Sequence, residues 1–406
     1  MNVTSSVTSL RYRSTHPTYT TYTTYTQFMK ERTMKLKSIQ FVEYEGEPEQ
    51  WRLEDCTLND MNLIVGKNAT GKTRTLNAIA TLTMLLAGEL KIMDNAGNFT
   101  VIFDHNGVDI RYQMRFADYE VIKEELWQGD KLLLQREKED TGKILTEQLD
   151  KPGDYLAFQP PPNELAVVSR RDAIQHPFLE HLYQWGKSAN YFQFGTPMDQ
   201  NHLAAFDLAK LSLKDSNQMV AIFKKGQQND RNYVPRLIED MRFCGYELED
   251  ISLQMLVNLE ENRTIVNGIQ IKEKDLKTVT PHLKMSSGLF RTLSLLIQLN
   301  YAIQGNLSSC LLIDDIGEGL DYTRSTALIK RLMNKVEGTQ MQLIISTNDQ
   351  FVMDTIPLKY WSVIKRSAGK AKMYNYLNSK KLFDSFQFTG LGNFDFFSSN
   401  YYLKEG

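Results

Sequence analysis

Hydrophobic and polar positions alternate from Lys35 to Tyr44 as they do in a β-strand, and a second strand is predicted over 51–58. The apolar run Leu63-Ile64-Val65 then predicts a short buried strand. The residues from 72 to about 86 have the spacing of a helix. The folded part of the chain is therefore expected to begin with strand, strand, strand and helix.

Residues 99–149 have the pattern of an antiparallel sheet. Two strands are joined by Asn106-Gly107, a dipeptide that favours a tight hairpin turn. The predicted strands of this region are 99–105, 108–116, 120–127, 131–135 and 143–149. Three prolines at 160–162 end the pattern, residues from about 175 to 245 predict mainly helices, and strands return around 248–259 and 263–271.

The last third alternates short apolar strands, at 309–313 and 342–346, with helices at 286–302 and 323–336. This alternation is typical of a parallel sheet covered by helices on both faces. The predicted fold class is therefore α/β: a parallel core flanked by helices, an antiparallel β lobe and a mainly helical insertion. The predicted boundaries are 34–160 for the first lobe, 161–280 for the insertion and 281–406 for the second lobe, which ends in an aromatic tail that either packs on its own domain or docks a partner.

The first 33 residues are predicted to be disordered or not part of the natural protein. Thr18 to Thr26 repeats Thr-Tyr-Thr within a stretch rich in serine and threonine, which buries too little apolar surface to fold. An upstream start codon with Met34 as the real start is the favoured interpretation. The alternative is an organelle transit peptide, because Arg11 and Arg13 precede the first acidic residue.

The overall composition is that of an ordinary globular protein. Of 406 residues, 42% are hydrophobic and 24% are charged, and the formal net charge of −2 gives no global attraction to nucleic acid or membranes. The three cysteines are too few for a disulfide framework. No run of about 18 apolar residues is present, so we expect no membrane span and a cytoplasmic location.

The most specific motif lies between the third strand and the first helix. Residues 66–73 fit G-x-x-x-x-G-K-[ST], the phosphate-binding loop of NTPases, in the strand–loop–helix context that it needs. Lys72 is predicted to reach the β- and γ-phosphates, and the Thr73 hydroxyl is predicted to ligate Mg²⁺. The predicted nucleotide contacts are Gly66, Lys67, Asn68, Ala69, Thr70, Gly71, Lys72, Thr73 and Arg74.

Two carboxylates end a later apolar strand and are the candidates for metal binding and catalysis. Asp314 is predicted to hold Mg²⁺, and Asp315 is predicted to orient or deprotonate the attacking water, with Glu318 as the next candidate. Gln159 follows a predicted strand and is a candidate for sensing Mg²⁺ and the γ-phosphate. Before three prolines it is equally an ordinary loop residue.

Ser286-Ser287-Gly288 before a helix is a common helix start, and it also resembles the signature motif of ABC-type ATPases. Gly319-Leu320-Asp321 resembles the D-loop of that family, and Asn348 stands where the family usually carries a histidine. The resemblance implies an ABC-type P-loop NTPase core that binds ATP and Mg²⁺. It also implies a head-to-tail homodimer, in which Ser286, Ser287 and Gly288 contact the nucleotide held by the other subunit.

The Asp-Asp pair followed by Gly-Leu-Asp resembles the RecF/SMC/OLD-like branch, and the chain looks like the stand-alone ATP-binding proteins of phage-defence and toxin–antitoxin loci. Asn348 cannot titrate near neutrality, and most ABC ATPases carry Glu where this chain has Asp315, so we expect slow hydrolysis. The expected function is a dimeric, nucleotide-gated switch in antiviral defence, with a separately encoded nuclease or toxin as effector. A RecF-like DNA repair or replication ATPase, with nucleic acid as partner, and a non-hydrolysing ATP-bound scaffold stay open as alternatives.

Overall fold

The computed structural model describes residues 34–92, 96–138, 141–147, 153–196, 200, 204–205, 218–258, 264–307 and 309–404. The prediction of a disordered or spurious leader over 1–33 lies outside these residues. The strands are, in chain order, β1 (Met34–Glu43), β2 (Trp51–Thr57), β3 (Met61–Val65), β4 (Gly97–His105), β5 (Val108–Ala117), β6 (Glu120–Gln128), β7 (Lys131–Glu137), β8 (Gly142–Leu145), β9 (Tyr155–Phe158), β10 (Asn190–Gln193), β11 (Ala204–Ala205), β12 (Leu248–Asn258), β13 (Thr264–Glu273), β14 (Thr280–Pro281), β15 (Cys310–Asp314), β16 (Gln342–Thr347), β17 (Trp361–Ser367) and β18 (Lys370–Asn375).

The helices of the described residues are α1 (Lys72–Leu86), α2 (Ala166–Ser169), α3 (Pro177–Ser188), α4 (Met219–Asn229), α5 (Tyr233–Phe243), α6 (Ser287–Gly305), α7 (Tyr322–Val336), α8 (Gln350–Thr355), α9 (Lys380–Gln387) and α10 (Asn393–Ser398), with 3₁₀ turns at His282–Lys284, Leu358–Tyr360 and Tyr401–Leu403. None of the described helices is long and apolar enough to cross a membrane.

One large sheet dominates the described residues. Its fourteen strands run in the order β10-β15-β16-β3-β17-β18-β2-β1-β4-β5-β6-β7-β8-β9. The first five are parallel to one another, and from β1 to β9 every neighbouring pair is antiparallel. The sequence-based fold class is therefore confirmed, since a parallel α/β core continues into an antiparallel lobe.

The parallel strands separate two hydrophobic cores because successive side chains of a strand point to opposite faces. Leu312, Ile344 and Ile64 pack into the core that contains α1 and α3. Their chain neighbours in the same strands, Ile313 and Ile345, pack into the core that contains α6. Every residue of β15 and β16 is buried, which explains why these strands are continuous apolar runs in the sequence.

The antiparallel lobe has the alternating burial that its sequence predicts. In β4 every second residue is buried. The hairpin between β4 and β5 turns at Asn106 and Gly107, whose φ angles of 56° and 82° both lie in the left-handed region that such a turn requires. This predicted hairpin is confirmed.

The segment predicted as a mainly helical insertion is more mixed than expected. It contains α3, α4 and α5, but β10 joins the parallel edge of the large sheet, and β11 to β14 form a small separate sheet. The four residues of β10 are too few to show a period, and the helix patterns on both sides conceal them. Their Tyr and Phe are residues that favour strands.

A buried acidic residue joins the helices on the α6 side of the sheet. The side chain of Asp240 in α5 is fully buried, and its carboxylate pairs with Arg331 and Lys335 of α7 at 2.6 and 2.9 Å. It also accepts a hydrogen bond from the Asn300 side chain of α6 at 2.6 Å. Buried charge is stable only when it is paired, so this cluster fixes α6 and α7 relative to each other.

The aromatic tail packs largely on its own domain, one of the two arrangements that the sequence left open. Phe383, Phe386 and Phe396 are almost fully buried in the core beneath α9 and α10. Phe388 is the exception, with 90% of its surface exposed.

Candidate nucleotide site

The phosphate loop connects β3 to α1 and has a backbone that requires glycine. Gly71 has a φ of 107°, and a Cβ on Gly66 would lie 2.6 Å from both Ile364 Cγ2 and Thr70 Oγ1. The Thr70 hydroxyl donates a hydrogen bond to the carbonyl of Lys67 at 2.8 Å, which closes the loop on itself. The loop therefore wraps tightly before the N-terminus of α1, the arrangement that binds phosphate.

Lys72 folds back over this loop. Its ammonium donates hydrogen bonds to the carbonyl oxygens of Gly66 and Lys67 at 2.9 and 3.3 Å, and the residue is buried. Burial lowers the pKa of Lys72, whereas the carboxylates of Asp315 and Asp314 oppose this change. The ammonium thus lies within electrostatic reach of Asp314, the predicted metal ligand, and Asp315, the predicted catalytic base.

Thr73 and Arg74, which follow Lys72, differ in their surroundings. Thr73 is exposed in the first turn of α1, where its hydroxyl is accessible. Arg74 donates hydrogen bonds to Glu43 Oε2 through Nε and Nη2, and its guanidinium lies 4.6 Å from the centre of the Trp51 ring. Trp51 in turn lies beneath Gly71. Arg74 therefore braces the phosphate loop against β1 and β2.

The two carboxylates lie at the carboxyl end of β15. Asp314 is its last residue and is buried, and Asp315 follows in the left-handed region with a φ of 50°. The Ser346 hydroxyl accepts a hydrogen bond from the Asp315 N–H at 2.9 Å and donates one to Asp314 Oδ1. Asn348 Nδ2 donates to Asp315 Oδ1 at 3.3 Å. Asp314, Asp315 and Asn348 are therefore brought together as the sequence predicts.

Asp315 has a perturbed environment that suits a proton acceptor. Burial, followed by the adjacent Asp314 carboxylate, raises the pKa of Asp315, and Lys72 acts in the opposite direction. Glu318, the second candidate base, is exposed in the following loop, where its N–H donates to the Asp315 carbonyl at 3.3 Å.

The structure does not bring Gln159 to this group. Gln159 follows β9, which is at the opposite end of the large sheet from β10 and β15. Gln193 is the glutamine that lies beside the carboxylates, because it ends β10 opposite Asp314 in the strand register. Tyr191 of the same strand ties β10 to α1 by donating a hydrogen bond to Asn77 Oδ1 at 2.8 Å.

Gly195 allows the segment after β10 to lie close to Asp315. A Cβ added to Gly195 would lie 2.7 Å from Asp315 Cβ, and the N–H groups of Phe194 and Gly195 both donate to the Asp314 carbonyl, at 3.0 and 3.3 Å. In the sequence, only a Gln-Phe-Gly string after a short apolar stretch marks Gln193 and Gly195.

We expect Gly195→Ala to reduce ATP turnover by about tenfold or more, because the new methyl group must displace Asp315 and small misplacements of a reacting group are costly. Nucleotide affinity measured without Mg²⁺ should be unchanged, since Lys72 is not disturbed. Thr196→Ala, an exposed neighbour, is the control. Wild-type turnover in Gly195→Ala would show that Asp315 does not need its present position.

The predicted signature segment begins α6 and packs on the predicted D-loop of the same chain. Ser286 caps the helix by accepting a hydrogen bond from the Leu289 N–H at 3.4 Å. A Cβ on Gly288 would lie 2.8 Å from Leu320 Cδ2 and 3.1 Å from the Gly319 carbonyl. Ser286 and Ser287 are exposed, so their hydroxyls are open to a second molecule.

The family described as "AAA domain, putative AbiEii toxin, Type IV TA system" matches residues 61–354, which is more than half of the chain. The chain belongs to this family. The match runs from β3 and the phosphate loop to α8, and so includes both carboxylates and Asn348. The sequence-based recognition of an ABC-type ATPase of the toxin–antitoxin kind is confirmed at the level of the family. No curated protein matches the sequence.

Among solved structures, the chain is similar to SMC head domains. One is an SMC head bound to the C-winged helix domain of ScpA, with a TM-score of 0.45 and 11% identity over 84% of this chain and 97% of that chain. Another is the SMC head domain from Thermotoga maritima, with a TM-score of 0.43 and 13% identity over 84% of this chain and 98% of that chain.

Proposed function

We infer that the chain binds ATP with Mg²⁺, hydrolyses it slowly and works as a nucleotide-gated switch in a head-to-tail homodimer. The observation that carries this inference is that the phosphate loop after β3 and the carboxylates that end β15 lie at the same edge of the sheet, because both strands pair in parallel with β16. A phosphate loop, a buried strand-end carboxylate and a second carboxylate with raised proton affinity are the parts that hydrolysis of a phosphoanhydride needs.

The available donors fit a magnesium ion. The Asp314 carboxylate and the Thr73 hydroxyl are hard oxygen ligands of the type that Mg²⁺ prefers, and Ser346 engages one Asp314 oxygen while the other remains for a cation. Gln193 replaces Gln159 as the candidate for the glutamine that senses the ion. A bound Mg²⁺ would supply charge neutralisation between the β- and γ-phosphates.

Lys72, Asp315 and Asn348 have separate roles in phosphate binding and hydrolysis. The Lys72 ammonium exchanges its two carbonyl partners for phosphate oxygens, which form stronger charge-assisted hydrogen bonds. Asp315 accepts the proton of the attacking water, and Asn348 holds the Asp315 carboxylate in place. Because Asn348 is an amide that does not titrate, it orients the water without exchanging a proton, and turnover is slow.

The exposed start of α6 supports the proposed dimer. Ser286 and Ser287 present hydroxyls and a helix N-terminus, which together attract anions. In a head-to-tail dimer they contact the γ-phosphate of the nucleotide bound by the other subunit, so ATP holds the two subunits together and hydrolysis releases them.

We expect Asp315→Asn to lower ATP turnover by about 100-fold or more while ATP binding is retained, because the amide cannot accept a proton. The closed dimer should accumulate with ATP. A single-turnover assay with labelled ATP measures the first effect, and size-exclusion chromatography with and without ATP measures the second.

Glu318→Gln is the matched control, since it makes the same change at an exposed carboxylate three residues away. Unchanged turnover in Asp315→Asn together with loss in Glu318→Gln would assign the base to Glu318. ATP binding without any turnover in the wild-type protein would favour the non-hydrolysing scaffold.

The biological setting that we propose is defence through a toxin–antitoxin system, with a separately encoded nuclease or toxin as the effector. The family description, which names a toxin of a type IV system, supports this setting. Co-expression with the product of the neighbouring gene tests it by measuring cell growth and ATP-dependent complex formation. Tight ATP-dependent binding of duplex DNA without such a complex would favour the RecF-like alternative.

A further inference from the structure

The segments that follow β15 and β16 are joined by backbone and side-chain hydrogen bonds beyond the last paired residues. The parallel ladder ends at Ile313 and Ile345. The Ser346 carbonyl then accepts from the Ile316 N–H at 3.0 Å, and the Thr347 hydroxyl donates to the Ile316 carbonyl at 2.9 Å. Each residue from Ser346 to Asn348 therefore makes a hydrogen bond to the segment from Asp314 to Ile316.

Ser346 has a special place in this arrangement because one oxygen atom serves both carboxylate residues. Its hydroxyl donates a hydrogen bond to Asp314 Oδ1 and accepts one from the Asp315 N–H. Ser346 is fully buried, so water does not replace either bond. This hydroxyl therefore contacts both the Asp314 carboxylate and the left-handed backbone of Asp315.

We propose that Ser346 is a positioning residue for hydrolysis: it orients the Asp314 carboxylate toward the cation and fixes Asp315 toward the attacking water. This proposal rests on the proposed function of the site. A hydroxyl can donate one hydrogen bond, and the Ser346 hydroxyl donates it to Asp314 Oδ1, which leaves Oδ2 for the cation. The lone pair that accepts the Asp315 N–H holds that residue in the left-handed conformation, which is uncommon for residues other than glycine although aspartate adopts it more often than most.

The alternative is that Ser346 only joins two strand ends and that its loss affects stability alone. The two possibilities differ in what happens to metal affinity. Side chains that orient a metal ligand through a hydrogen bond affect metal affinity or activity by about 10- to 100-fold when they are removed. A residue that only contributes stability lowers the unfolding temperature and leaves the metal affinity of the folded protein unchanged.

The test compares Ser346→Thr with Ser346→Val in the full-length protein, because these side chains share a shape and differ in the hydroxyl. Three properties are measured for each: Mn²⁺ affinity by electron paramagnetic resonance with a non-hydrolysable ATP analogue, analogue affinity in EDTA, and thermal unfolding. Ser362→Ala, which removes a buried serine hydroxyl from β17 in the same sheet, is the control for stability.

We expect Ser346→Val to weaken Mn²⁺ binding by about 10- to 100-fold and Ser346→Thr to retain it. The affinity for the analogue in EDTA should agree within about twofold between the two variants, since Lys72 is untouched. Ser346→Ala should behave like Ser346→Val.

Equal Mn²⁺ affinity in the threonine and valine variants would overturn the proposal, as would an equal loss of Mn²⁺ affinity in Ser362→Ala. If the threonine and valine variants do not fold, the Mn²⁺ affinities of Ser346→Ala and Ser362→Ala are compared instead, and equal affinities would overturn the proposal. Failure of the wild-type protein to bind the analogue either with Mg²⁺ or in EDTA is a different result: it would overturn the proposed function, and the role of Ser346 with it.

Discussion

Replacing Lys72 with alanine is expected to abolish ATP binding. The buried ammonium already makes two hydrogen bonds to loop carbonyls, in a concave backbone that holds it in place. Charge-assisted hydrogen bonds contribute about 1.5–3 kcal/mol each, so the loss of two to phosphate lowers affinity by about 100-fold or more. Isothermal titration calorimetry with ATP measures this directly.

Lys67→Ala is the matched control, because it removes the same charge from the same loop. The Lys67 side chain is exposed, and the group that the loop uses is its carbonyl oxygen, which accepts from Thr70 and Lys72. We expect at most a few-fold change in this variant. Wild-type affinity in Lys72→Ala would contradict the entire assignment of the site.

The parts of the site that the sequence predicts are those in which neighbours in the chain are neighbours in space. Gly66 to Thr73 form a loop whose residues contact each other, so spacing alone identifies it. Asp314 and Asp315 follow a strand whose five buried residues read as an apolar run. The Asn106-Gly107 hairpin is local for the same reason.

The parts that sequence could not predict depend on which strands become neighbours. Gln159 follows one short strand and Gln193 ends another, and only the sheet order puts β10 rather than β9 beside β15. The role of Ser346 depends on the parallel register of β15 and β16, which no local pattern specifies. A bridge made by one hydroxyl between two distant segments has no signature in the sequence.

The surroundings of Gly288 are a further feature that the sequence could not predict, and they affect how the dimer is tested. The resemblance to ABC-type ATPases suggests that Gly288 is small to admit a phosphate from the other subunit. In the structure its own D-loop already occupies the space that a side chain would need, at Leu320 and Gly319. A bulky substitution such as Gly288→Arg would therefore disturb its own chain, and an exposed neighbour is the better choice.

We expect Ser287→Glu to leave ATP binding at Lys72 intact and to abolish ATP-dependent dimerisation and turnover. Ser287 is exposed at the start of α6, so the larger side chain fits without disturbing the fold. Its negative charge then opposes the γ-phosphate held by the other subunit, at a distance where like charges cost several kcal/mol. Calorimetry, chromatography with ATP and phosphate release measure the three properties separately.

Mixing two inactive variants gives the decisive test of the shared site. When Ser287→Glu is mixed with Lys72→Ala, one site of each mixed dimer carries both changes and the other carries neither. Neither variant closes into a homodimer with ATP, so the mixed dimer is the species that closes, with one intact site, and up to about half of wild-type turnover should return. Lys72→Ala mixed with Asp315→Asn is the control, because both residues belong to the same half-site and every site of the mixed dimer keeps one change. Recovery in the first mixture and none in the second would establish the head-to-tail dimer. Full activity of Ser287→Glu alone would show that the segment from Ser286 to Gly288 only caps α6.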